Sequence, residues 1–198
     1  MTGLGAAIGY PVPNPLPKEW LGRKVALPEA PSWAKVSKLS KLELRNLQSQ
    51  IGYDLSQWDY SKIGANNELG RYQFSTITLE NYGLLVAGSN TSYGTDCVNY
   101  RHVWQPITNT GVNDYRSYLY NITGLYNFLT TGAAQEYLAY QYIVDLYNAC
   151  TNNNAIRSDD TTDIIAGMIY VAWTLGPGKA TSPSNPNGTG AWAWRYNN

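Results

Sequence analysis

Within Asn66-Asn67-Glu68-Leu69-Gly70-Arg71-Tyr72-Gln73-Phe74 an acid, a glycine, an amide and two aromatic rings lie close together. These types suit a sugar. Gly70 lets backbone approach a ligand closely, Gln73 offers a donor and an acceptor, and Tyr72 or Phe74 can present a ring to a sugar face. A Gly-aromatic turn leading into a helix is the plain structural alternative. Cleaving a glycosidic bond needs an acid kept protonated near neutral pH by an apolar site. Three carboxylates are candidates: Glu68 inside the segment, and Asp54 and Glu43 before it. Glu68 is favoured as the general acid because a glycine follows next but one. Each has an ordinary alternative: a solvated loop carboxylate for Glu68, a turn former bonding its own backbone for Asp54, and a surface helix residue paired with Lys or Arg for Glu43.

Other chemistries have less to stand on. His102 is the single histidine, with Cys97 five residues before it, so no metal site is expected. Neither Cys97 nor Cys150 sits in a nucleophile signature, and both are expected to be buried thiols rather than a disulfide. Gly176-Pro177-Gly178-Lys179 lacks the spacing and the following Ser or Thr of a phosphate loop. No cofactor is expected.

The elements that would position these residues are helical. From Ser37 the pattern Leu39, Leu42, Leu47 and Ile51 predicts a first helix, broken by Gly52, with a loop from Tyr53 to Gly64. Ser75 or Thr76 is expected to cap a second helix holding Leu79, Tyr82, Leu84 and Leu85. Gly88 to Gly111 reads as irregular, and Tyr115 to Thr130 as one or two short helices interrupted near Gly124. The clearest helix follows, with Ala134, Leu138, Tyr142, Leu146 and Ala149 recurring at nearly every turn, and Ala139, Ile143 and Cys150 widening the stripe. Ile164 to Leu175 is apolar nearly all round and preceded by Asp159, Asp160 and Asp163, so it is expected to be the central buried helix. Trp192, Trp194, Arg195 and Tyr196 either form a sugar platform or seal the core, and sealing is slightly preferred.

The chain of 198 residues fits one domain with an arm. Six of the ten prolines lie at Pro11, Pro13, Pro15, Pro17, Pro28 and Pro31, so this stretch is expected to run extended. Its Tyr10, Trp20, Leu21, Val25, Leu27 and Trp33 imply that it lies on a surface, its own or a neighbour's. Fourteen basic and fourteen acidic residues cancel, leaving no field to hold nucleic acid or an anionic membrane. Seventeen Tyr and seven Trp against two Phe mean that most rings carry a polar handle. No signal peptide and no membrane-spanning run is read, so synthesis in a cytoplasm is expected.

Gly70-Arg71-Tyr72-Gln73-Phe74 resembles the Gly-x-x-Gln signature lining the glycan cleft of lysozyme-like proteins of the lytic transglycosylase type. Ala166 to Ala180 is similar to the helix and glycine turn that close that cleft, Ala191 to Tyr196 to its aromatic end, and Ala133-Ala134-Gln135-Glu136 to the start of a long helix ending near Asn152. The resemblance covers roughly residues 40 to 198 and points to forms carried by tailed-phage virions. It implies an all-α, lysozyme-like helical domain over 37–198 after a proline-rich arm over 1–36. The implied role is that of a tail or baseplate protein, made in the host cytoplasm, acting on peptidoglycan during entry. Residues 1–33 would bind other tail proteins, and neither nucleic acid nor membrane insertion is involved. Glu68 or Asp54 would be the acid, and Gln73, Tyr72, Gln50, Trp194 and Tyr196 would contact sugar. One departure matters: Gln50-Ile51-Gly52-Tyr53-Asp54 is similar to the relatives' Glu-Ser-Gly-x-Asp, which puts Gln50, an amide with no titratable proton, where the acid belongs. The alternative is therefore an inactive structural component retaining the fold for assembly or glycan binding.

Overall fold

A computed structural model describes residues 29–88, 103–108 and 113–175. These residues are helical, with isolated bridges and no strand among them. The elements are α1 Lys41–Ser56, α2 Thr76–Asn81, a 3-10 helix Tyr115–Tyr118, α3 Leu125–Thr130, α4 Gly132–Asn152 and α5 Thr162–Leu175. The all-α expectation therefore holds for the described residues. Positions 1–28 of the expected arm, Cys97, His102, the turn at 176–178 and the aromatic tail with Trp194 and Tyr196 lie outside them.

The described chain forms two compact units, one of residues 49–139 and one of residues 29–48 with 140–175, and the division falls inside α1 and α4. In the second unit, Leu44, Ile143, Leu146, Cys150, Ile165, Met168, Ile169 and Ala172 are buried, and Tyr142 packs edge-on to Trp173 at 4.5 Å. Lys38 works here as a structural cation. Its Nζ donates to the carbonyls of Ser158 at 2.6 Å and Asp160 at 2.8 Å, while its own carbonyl accepts from Thr162 Oγ1. Contrary to expectation, α5 buries one face only, through Ile165, Met168, Ile169, Ala172 and Trp173. Cys150 is a buried free thiol whose pKa burial raises to about 11.

α1 begins later than predicted because Ser40 and Glu43 close a capping box: Glu43 N donates to Ser40 Oγ at 3.2 Å, and Ser40 N donates to Glu43 Oε2 at 2.7 Å. The hydrogen bond from the Ser40 amide holds the Glu43 carboxyl below its ordinary pKa. The buried face of α1 is Leu44, Gln48, Ile51, Gly52 and Ser56, while the predicted Leu42 is 46% exposed. Gly52 does not break the helix. It is required because a Cβ there would sit 2.8 Å from Arg71 Nε and 3.2 Å from Tyr72 Cε1.

In the first unit Ser75 caps α2 by accepting from Thr78 N, as expected. The helix stops at Asn81, and Gly83, at φ +80°, turns the chain so that Leu84 and Leu85 are buried beyond it. Gly124 precedes α3, matching the predicted interruption. Phe128 gathers the rings, with Phe74 at 6.2 Å and Trp104 at 5.6 Å. The stripe predicted for α4 is buried at Ala134, Leu138, Ala139, Ile143, Leu146 and Cys150. The same helix also buries Gln135 and Glu136, which periodicity alone would have placed elsewhere.

Candidate functional site

Between α1 and α2 the chain crosses itself in short bridges, Ile63 with Leu69 and Leu69 with Phe74. Gly70 lies at the crossing. Its φ is +77°, its N–H donates to the Lys62 carbonyl at 2.8 Å, and its carbonyl accepts from Gln73 Nε2 at 2.8 Å. The close approach expected of Gly70 is made, but by the chain's own Gln135, whose side-chain amide a Cβ at Gly70 would strike. Gln135 then serves three partners. It accepts from Arg71 N at 2.8 Å, and its Nε2 donates to the carbonyls of Tyr60 at 3.0 Å and Phe128 at 2.8 Å.

Beside it, Arg71 and Glu136 form a salt bridge of 2.7 Å at 1% and 2% exposure. The Tyr60 and Tyr72 hydroxyls each donate to a Glu136 oxygen at 2.5 Å, and Arg71 Nη1 donates to Tyr60 Oη at 2.9 Å. Arg71 Nε and Nη2 have no hydrogen-bond partner among the described residues. The guanidinium instead lies 5.2 Å from the Tyr60 ring centre and 5.4 Å from that of Tyr72, which offsets part of the lost hydration. Burial raises the pKa of both phenols well above the ordinary value, and the Glu136 charge adds to it. Burial works against charge on Arg71, but the Glu136 carboxylate and the Tyr72 and Tyr60 phenols together outweigh it and keep the guanidinium's pKa raised. A buried pair so surrounded is costly to open and specifies how α4 meets the crossing.

The predicted site residues thus separate. Tyr72 is fully buried, so its ring belongs to the core and meets no sugar. Glu68 and Gln73 do come together: both side chains crowd Gly64, where a Cβ would collide with each. Glu68 accepts from Asn66 N at 3.0 Å and from Asn66 Nδ2 at 3.1 Å, an arrangement that ties the carboxylate to its own turn. Gln73, at φ 49°, spends its amide N–H groups on the Gly70 and Lys62 carbonyls. Gln50 and Asp54 are exposed, with Gln50 Nε2 donating to Asp54 Oδ1 at 2.9 Å.

Sequence reasoning missed a neighbour of that pair. Gln57 and Trp58 both take left-handed backbone, at φ 53° and 65°, a conformation costing about 1–2 kcal/mol per non-glycine residue. The strain folds Trp58 back over α1, where its indole N–H donates to the Ser49 carbonyl at 2.9 Å and its ring lies 4.6 Å from that of Tyr53. Strain of this kind concentrates at functional positions. A tryptophan just past a helix end, with no glycine nearby to make the turn, carried no sequence signal for it.

Among the described residues no group of three His, Cys, Asp or Glu is placed to hold a metal, and no helix is long and apolar enough to cross a membrane. Comparisons with protein-family models, with curated proteins and with solved structures each find no match.

Proposed function

We propose that this chain is a tail or baseplate component of a tailed-phage virion, built on a lysozyme-like plan, that holds peptidoglycan glycan strands without cleaving them. Residues 1–33 tie it to neighbouring tail proteins. One observation carries the reading: every carboxylate put forward as the acid is spent on a local hydrogen bond at or near the surface. Glu43 closes a helix cap, Asp54 accepts from Gln50, and Glu68 is bound to Asn66. A general acid instead needs a proton-retaining, apolar enclosure. Glu136, which is enclosed, faces a guanidinium and two phenols rather than a substrate. Gln50 and Gln73 are the proposed sugar contacts.

Cleavage of the strand is the second reading, favoured by the meeting of Glu68 and Gln73 at Gly64. Turbidity of a purified peptidoglycan suspension separates the two. Holding without cleavage predicts no clearing by the wild-type protein. Clearing that Glu68→Gln abolishes would establish the enzyme and reject the proposal.

A further inference from the structure

Asp114 caps the 3-10 helix by accepting from Arg116 N at 2.9 Å, its carboxylate pairs with the Arg116 guanidinium, and Leu119, just past the helix, is buried. Tyr118, at the end of that helix, is thus held from both sides while staying 38% exposed. On α4, Glu136 is drawn inward by Arg71, which fixes the helix's rotation and leaves the next residue, Tyr137, half-buried. The rings of Tyr118 and Tyr137 stack face to face, with centres 3.5 Å apart and planes inclined by only 11°. Their hydroxyls share a hydrogen bond, so the two rings point the same way. The carbons ortho to each hydroxyl therefore face their counterparts across the stack. Burial, and then the Tyr118 neighbour, push the Tyr137 pKa up to about 12, so this phenol keeps its proton at neutral pH. Tyr82 and Tyr115 meet differently, edge-on at 81° with centres 5.4 Å apart, and their ring faces do not oppose one another.

We propose that Tyr118 and Tyr137 are a site of oxidative modification, at which an intramolecular dityrosine bond forms and braces the 3-10 helix against α4. The oxidant is of the haem-peroxidase class, with hydrogen peroxide as the terminal electron acceptor. Each phenol gives up one electron and its hydroxyl proton, and together these reduce one peroxide to two waters. The phenoxyl radicals carry spin on the carbons ortho to oxygen. One such carbon from each ring joins the other, and the hydrogen on each then moves to its own oxygen, which restores both aromatic rings and both hydroxyls. The product is the same chain less two hydrogens. Stacking decides the partner, because a radical on either ring already has the other ring's ortho carbons in contact before a second molecule can arrive. Tyr126, 78% exposed, has no stacked tyrosine among the described residues and couples only on meeting another molecule.

The test is brief treatment of the full-length protein with a haem peroxidase and hydrogen peroxide, at a fixed ratio of oxidant to protein and over a range of protein concentrations. Dityrosine fluorescence should appear in the monomer, in a fraction independent of concentration. Mass spectrometry of that monomer should show the loss of two hydrogens, and peptide mapping should join Tyr118 to Tyr137. Tyr118→Phe, a change at an exposed position, should abolish this link, whereas Tyr126→Phe should leave it in place. The linked wild-type protein should melt at a higher temperature than the untreated protein, because the bond closes a loop in the unfolded chain. Tyr118→Phe given the same treatment should show no such rise. The proposal is overturned if no dityrosine forms, if it forms only in dimers whose yield grows with concentration, or if the monomer's link joins other tyrosines or persists in Tyr118→Phe. A linked monomer with an unchanged melting temperature would overturn the brace.

Discussion

The two sides of α1 near its C-terminal end use polar chemistry in opposite ways. On the inner side Gly52 gives up its side chain so that Arg71 can lie against the helix, and Arg71, Glu136, Tyr60, Tyr72 and Gln135 are joined by buried hydrogen bonds and an ion pair. On the outer side Gln50, Tyr53 and Asp54 are exposed beside a half-buried Trp58, and the hydrogen bonds of this group set orientation without enclosing it. The inner group has the larger energetic stake, because a buried charge that loses its partner has no water to replace it. The motif that suggested a sugar site, Gly70 to Gln73, therefore serves mainly as a clamp on the start of α4.

The contrast breaks hardest at Glu136. Glu136→Ala leaves Arg71 charged and unpaired in the core, and chemical denaturation should show a loss of about 3–5 kcal/mol. Replacing both partners, with Arg71→Met and Glu136→Leu together, should cost less than Glu136→Ala alone, since no orphaned charge remains. Gly70→Ala combines left-handed strain with a collision at Gln135, so about 3 kcal/mol should be lost in the same experiment.

Alkaline pH attacks the inner group next. Tyr60 and Tyr72 have folded-state pKa values raised well above the 10.0 of an ordinary phenol. Their contribution is fully present below about pH 10 and is lost as the pH rises from there through the raised values. The loss is about 1.4 kcal/mol per pH unit for each phenol. Thermal midpoints should begin to fall above about pH 9, where the buried Cys150 thiol adds its own loss, and fall more steeply above pH 10, and Tyr72→Phe should make that steeper fall shallower. The outer group should respond least. Gln50→Glu places a like charge one turn from Asp54 and should cost only about 0.2–0.5 kcal/mol in a thermal melt.

Much of the helical scaffold was legible because it depends on local rules. The Ser75 cap, the Gly124 interruption and the apolar stripe of α4 are all written in short spacings. Gly52 was misread because a glycine in a helical run looks the same whether it ends the helix or admits a neighbour, and here the neighbour, Arg71, is far along the chain. The capping box of Ser40 and Glu43 was legible but was passed over in favour of a charge pair. The inner group was hidden for a different reason: Gln135 and Glu136 look like the polar start of any helix, and only the fold brings them to Tyr60, Arg71 and Tyr72. Of the expected site, Glu68 and Gln73 do meet, whereas Tyr72 turns inward because its hydroxyl has a buried carboxylate to satisfy.

The most direct test is co-sedimentation of the purified full-length protein with insoluble peptidoglycan, with soluble amino sugar measured in the same supernatant after acid hydrolysis. The account predicts saturable retention in the pellet and no release of soluble amino sugar. Protein left in the supernatant at every peptidoglycan concentration, or release of soluble amino sugar in proportion to protein added, would contradict it.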